Sequence, residues 1–273
     1  MALYHSLPLH PPAPLADRLS FAWENDPMTQ DELFDQALGH MEATLASLEK
    51  RVPAAQRVPY KTSFVFRYVE QTIHQAIVQK LARLVSGLHA ARILLERGFV
   101  QEQGALQRMI DEFREDIMFL SLAVVRGDVT PLHQEYLAAF YKEEFDHEDP
   151  HKSTQRRPMV SRKRIRTYLA KVEGSDVDPS TAAEVSRTLS KGYSGYVHAA
   201  SPHIMEMYGG NPARFHVRGM HGTPRQDEHR DDFWNYVYRG ILAFAFVAMA
   251  FGDRLLLDSF RKLRDEFDRQ SDR

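Results

Sequence analysis

"ILAFAFVAMAF", Ile241 to Phe251, is the longest apolar run in the chain, and its length decides how the rest is read. Its 11 residues fall short of the roughly 18 or more that a membrane span needs. A helix this short and apolar on all sides belongs at the centre of a bundle. The flanking sequence supplies the other members. Thr29 to Glu32 (TQDE) is a capping-box signature, followed by Leu33, Phe34, Ala37, Leu38, Met41, Leu45 and Leu48 on one stripe. A long helix is predicted over Thr62–Arg97, stopped by Gly98, and another over Gln101–Arg126, stopped by Gly127. Thr130-Pro131 and Asp178-Pro179 each read as an N-cap with proline at the first helical position, opening helices to about Phe145 and Tyr196. The last helix is predicted from near Asp227 to as far as Phe267. No long alternating strand pattern, internal repeat or low-complexity tract is evident.

The expected fold is therefore all-α: a helical bundle with a buried C-terminal helix and one long basic loop. Residues 1–28, with five prolines between Pro8 and Pro27, read as an irregular arm, and 29–273 as one helical domain. A formal charge of −2 gives no global attraction for nucleic acid, so any such preference must come from a local patch. The absence of cysteine excludes disulfides and thiolate chemistry and suits a reducing cytoplasm. The N-terminal residues lack a basic then apolar succession, so no signal peptide is expected. GxxxxGK[ST], GxGxxG, GxSxG and HExxH motifs are absent.

Four groups of residues carry possible chemistry. On the helix predicted from Thr62, Glu70 projects onto the flank of the apolar stripe (Phe66, Ile73, Ile77, Leu84, Leu88), with Arg67 and His74 beside it. These would face a helix–helix seam as a paired cluster or a polar pocket, to which His203 is added as a candidate. Ser161 reads as an N-cap, placing Arg162, Lys163 and Arg164 in a first turn, where cations oppose the helix dipole by about 0.3–1 kcal/mol each. That arrangement suits an external anion. The stretch from Gly209 to Gln226 adds Arg214, Arg218 and Arg225 without an acid, and is long for a connection. Finally, "GYSGYVHAASPHIMEMYGG", Gly192 to Gly210, places His198 and His203 five residues apart, about 140° around a continuous helix. The Ser201-Pro202 step predicts a break, with His198 closing one helix, Ser201 capping the next, Pro202 its first residue, His203 opening it, and Gly209-Gly210 stopping it.

On the next helix Leu106, Met109, Ile110, Phe113, Ile117 and Leu120 form the predicted core stripe; Arg108, Glu112 and Glu115 read most simply as a solvated face, although Met118, Phe119 and Leu122 suggest that this face is also covered toward its end. Glu144-x-x-His147 has the spacing of a di-iron carboxylate motif, but no second copy occurs, so a metal protein ranks last and no metal or cofactor is expected.

"ARILLERGFVQEQGALQRMIDEFREDIMFL" (Ala91–Leu120) and the tyrosine-rich segment ending in YVH (Tyr196–His198) resemble bacterial all-α proteins related to HEPN-type domains, over a small part of the chain. HEPN ribonucleases carry an arginine four to six residues before a histidine; here Lys191 lies seven before His198 and Arg187 eleven before. The resemblance implies an RNA or nucleotide partner. Where catalysis occurs, it implies His198 as general acid/base and Lys191 as the cation stabilising phosphate charge. The alternative is a non-enzymatic helical interaction protein. No membrane association is expected, and homo-oligomerisation is left open.

Overall fold

Thr29 opens the first helix as read: its hydroxyl accepts from the Glu32 N–H at 3.3 Å, and the Glu32 carboxylate accepts from the Thr29 N–H at 2.8 Å. The computed structural model describes residues 28–60, 62–145, 147, 149–154, 158–173 and 192–271. The expected arm, most of the helix expected from Asp178, and Lys191 lie outside the described residues. Helix α1 spans Gln30–Glu49, the hairpin strands β1 and β2 Gln56–Tyr60 and Ser63–Arg67, α2 Ile73–Glu96, α3 Val100–Arg126, α4 Pro131–Tyr141 and α5 Arg162–Glu173. The short helices α6 and α7 cover Ser194–Val197 and Ser201–Met205. The strand pair β3 and β4 covers Tyr208–Gly209 and Arg214–Phe215, α8 spans Pro224–Ala250, and α9 spans Arg254–Ser271. The fold is an all-α bundle with little strand.

Helices α2, α3 and α8 form the centre; α1 packs on α2 and α8, α9 on α8, and α5 and α6 on α3. Buried apolar side chains of the described residues make one contiguous core, including Phe34, Leu81, Phe119, Phe233, Phe244 and Phe260. The Ile241–Phe251 run lies in it, on α8. Among the described residues, α8 alone is long and apolar enough to cross a membrane by length and composition, and 56% of its most apolar window is buried inside the bundle.

Several boundaries differ from expectation. Gln56–Tyr60 and Ser63–Arg67 pair as an antiparallel hairpin, with Arg57 opposite Phe66 and Pro59 opposite Phe64. Ser63–Arg67 is aromatic and β-branched, which favours a pleated surface. Helix α2 instead begins at Ile73 behind its own capping box, Thr72 with Gln75. Helix α4 stops at Tyr141 rather than Phe145. The last helix is two: Gly252, at φ +66°, stops the first, and Asp253 accepts from the Leu256 N–H at 2.9 Å to start the second. Helix α8 begins at Pro224 rather than Asp227, because Thr223 caps it through the Gln226 N–H at 3.4 Å. The long basic loop holds the β3–β4 pair, and α7 ends at Met205, before Gly209.

His133 gives the bundle a pH dependence. Its Nδ1 accepts from the Thr130 N–H at 3.1 Å at the start of α4, while the ring stacks on Phe119 at 4.1 Å. Burial holds its pKa below the ordinary imidazole value. The folded state is then neutral where the unfolded chain takes up a proton, so stability falls as pH drops below about 6.5. The expected slope from this group is about 1.4 kcal/mol per pH unit until its lowered pKa is reached. Denaturant midpoints from pH 7 to 5 should show it, and His133→Gln, which keeps a capping-box residue, should lose one proton's worth of slope. An unchanged slope would show that His133 does not titrate on unfolding.

Candidate functional site

Gln103, Gln107, Asp111 and Glu115 recur every fourth residue along α3 and so stack on one side of it. All four are buried, as is Asp116. This polar column lies beside the apolar Ile110 and Ile117, and it organises two clusters.

The first cluster is ionic. Asp116 receives Lys80 Nζ at 2.7 Å and an Arg162 amino group at 2.6 Å; Glu115 receives Arg166 Nε at 2.7 Å. Lys80 also lies 5.0 Å from the Phe140 ring centroid. Burial, reinforced by Asp116, pushes the Tyr136 phenol pKa up. The expectation that Glu115 is solvated is therefore corrected: α5 lies across that face. Arg108 and Glu112 pair with each other, half-buried, at 2.7 Å, and Met109, expected in the core stripe, is 44% exposed.

The second cluster lies where the 192–226 segment meets α3 and α8. His229 Nδ1 stands 2.7 Å from Gln103 Oε1, so it carries the proton and donates. His229 Nε2 then faces the Tyr196 hydroxyl at 3.3 Å, and that hydroxyl donates to Glu206 Oε2 at 2.9 Å. Arg225 pairs with Glu206 and with Glu228. Burial, reinforced by the Arg225 charge, lowers the His229 pKa. Burial and the Glu206 carboxylate raise that of Tyr196. Gly104 makes room for the Tyr196 ring: a Cβ there would lie 2.8 Å from Tyr196 Cδ2. Further along, Tyr193 donates to Asp232 at 2.7 Å, and Asp111 accepts from Tyr236 at 3.2 Å and from Arg239 at 3.0 Å. Gln107, between these groups, has no hydrogen-bond partner at either end of its amide among the described residues. Leaving a buried polar group unpaired costs about 1–3 kcal/mol, so Gln107 weakens the bundle where it stands.

The helix break expected near Pro202 is present. His198 is the C-cap of α6, Ala199 takes φ +51°, and α7 starts at Ser201 one residue earlier than expected, with extended Ala200 rather than Ser201 as its N-cap. The two histidines do not meet. His198 is exposed, whereas His203 folds back over Gly195 and packs edge-on against Tyr196 at 4.4 Å.

The polar pocket of Arg67, Glu70, His74 and His203 does not form. Arg67 reaches Glu143 at 2.5 Å, Glu70 is exposed and accepts from Gln75 Nε2 at 2.7 Å, and His74 packs against Phe251 at 4.9 Å. The cause is the β1–β2 hairpin, which takes Arg67 and Glu70 off the helix that would have aligned them with His74.

The six expected anion donors divide. Arg162 is held by Asp116, Arg164 by Glu135 at 2.7 Å, and Arg225 by Glu206 and Glu228, so the first turn of α5 is not an open set of three cations. Lys163, Arg214 and Arg218 are exposed and have no carboxylate partner among the described residues. Near Arg214, Tyr208 and Phe215 are exposed with ring centroids 4.9 Å apart. Among the described residues no three His, Asp or Glu side chains converge as metal ligands, Glu144 and His147 included. A groove of about 360 Å³ between Met28, Leu33, Asp231 and Trp234 carries no basic group.

Gln103, Tyr196, Glu206 and His229 were not singled out from sequence; the four-residue polar repeat on α3 was the available signal. Comparison with protein-family models, curated proteins and solved structures finds no match for the chain.

Proposed function

We propose that the protein binds an anionic partner, single-stranded RNA, through the outer surface of residues 192–226. The observation that carries this reading is the charge distribution of the segment. Its one acid is Glu206, and Arg225, Tyr196 and Gln101 occupy that carboxylate from within. The surface left to solvent is basic and aromatic, with Arg214 and Arg218 beside Tyr208 and Phe215. Among the described residues no guanidinium lies over either ring, so both remain available for bases to stack on, while the arginines take phosphates. The HEPN-type resemblance of Ala91–Leu120 and Tyr196–His198 points the same way. His198 is exposed on this surface and would be the general acid/base if bound RNA is cleaved. A second reading, a non-enzymatic helical interaction protein, draws support from the internal pairing of Arg162, Arg164 and Arg225.

The test is anisotropy of a labelled oligouridine across a salt series. Log affinity should fall linearly with log salt, and the Arg214→Gln/Arg218→Gln double variant should bind more weakly with a slope shallower by about 1.4, two phosphates' worth for a single strand. An unchanged slope would favour the second reading. His198→Ala should keep binding and lose any cleavage.

A further inference from the structure

The β1–β2 hairpin stands at the other end of the bundle from residues 192–226. Its base is tied to the C-terminal end of α8, where Arg51 reaches Asp253 at 2.8 Å and the Phe251 carbonyl at 2.7 Å. Residues 192–226 lead into the N-terminal end of α8, and 27 residues of helix separate the two by about 40 Å.

Both hairpin edges are blunted. Pro59 stands opposite Phe64 in the register. Pro59 has no N–H to offer on its edge. On the other edge, the Phe66 carbonyl accepts from Arg67 at 2.9 Å. These features oppose strand addition. What remains open is one face: Phe64 and Phe66 are 44% and 58% exposed, with the Arg57 guanidinium 4.5 Å from the Phe64 centroid. Aromatic and arginine side chains grouped in this way have the composition of an interface hot spot.

From Lys50 to Val69 the sequence holds five basic residues and no acid. Carboxylates from elsewhere satisfy Arg51 and Arg67. Arg57 has no carboxylate partner among the described residues. A second copy docking on this face would bring like charges together, which disfavours self-association. A nucleobase would find the Phe64 ring already covered by Arg57, which leaves Phe66 as the exposed apolar surface of this face. We infer that the face of Arg57, Phe64 and Phe66 is a docking site for an acidic peptide segment carrying one apolar anchor. The anchor packs against Phe66, and its flanking carboxylates meet Arg57.

The test uses the full chain and a panel of acidic nonapeptides with a central Leu or Phe, against the same peptides with a central Ser, read by anisotropy. The anchored peptides should bind and the serine peptides should not. Phe66→Ser and Arg57→Gln should each weaken binding at least tenfold without shifting the thermal midpoint. Arg214→Gln/Arg218→Gln should leave peptide binding unchanged, so this site stands or falls apart from the RNA surface. The inference is overturned if no anchored peptide binds, or if Phe66→Ser leaves binding intact. A loss of oligouridine affinity in Phe66→Ser would reassign the face to nucleic acid, and a dimer dissolved by Phe66→Ser would reassign it to a second copy.

Discussion

Asp116→Ala is expected to destabilise the protein by about 3–5 kcal/mol, read as a lowered midpoint in denaturant. Asp116 is 1% exposed and is the carboxylate that both Lys80 and Arg162 address. Removing it leaves two cations in a site walled by Phe113, Tyr136 and Phe140, with Glu112 and Glu115 the nearby acids that remain, Glu115 at 3.6 Å from Arg162. The magnitude follows from that stranded charge and does not measure what the intact cluster contributes. Replacing Asp116, Lys80 and Arg162 together by Leu, Met and Met should therefore be nearly neutral or stabilising, since the charges disappear with their desolvation cost. If Asp116→Ala costs less than about 1 kcal/mol, water reaches the cluster and the site is not a closed ionic core.

The helix ends were legible in the sequence because their causes are local. Thr29 with Glu32, Thr130 with Pro131, and Gly127 in its left-handed conformation each act within four residues of chain. The break after Val197 was legible for the same reason, through Ser201-Pro202. The hairpin was not, because the first residues read as helix, Thr62–Phe66, satisfy the helical stripe as well as the strand alternation. Five residues cannot separate the two periods. Phe66 fitted the stripe and is the more exposed of the hairpin's two phenylalanines.

The site was less legible because its partners are distant in sequence. Helical angles placed Arg162 and Arg164 in a first turn, which is where they are. Their carboxylates, Asp116 and Glu135, come from α3 and α4, tens of residues earlier. A local reading sees cations opposing a dipole and infers an external anion; tertiary packing supplies the anions from inside. The angles of Glu115 and Asp116 were equally available, but angle alone does not say which neighbour covers a face. Arg214 and Arg218 are exposed, and the one acid in their segment, Glu206, is held by Arg225.

Gly219→Ala is expected to undock the 214–222 stretch while leaving the bundle folded. Gly219 takes φ +99°, and a Cβ there would overlap the Arg97 carbonyl oxygen. Gly98 faces it at φ +74°, where a Cβ would lie 2.7 Å from the Met220 nitrogen. The two glycines let the chain between α2 and α3 approach the loop closely enough for the Met220 N–H to donate to the Gly98 carbonyl at 2.7 Å. Gln226 completes the clasp, donating to the Leu95 carbonyl at 2.6 Å and accepting from the Gly222 N–H at 2.7 Å. Neither obstacle at Gly219 is a flexible side chain, so the strain is not relieved by a rotamer change. Positive-φ strain and overlap together should cost about 2–5 kcal/mol, charged to the docking of this stretch rather than to the core. Limited proteolysis should then cut between about 206 and 223 at least tenfold faster, with far-ultraviolet circular dichroism unchanged. Because Arg214 and Arg218 lie in the released stretch, oligouridine affinity should fall as well. Unchanged cleavage would show that the loop holds its place without the Gly98–Gly219 contact. Faster cleavage with unchanged RNA affinity would separate the loop from binding and move the RNA site elsewhere on the bundle.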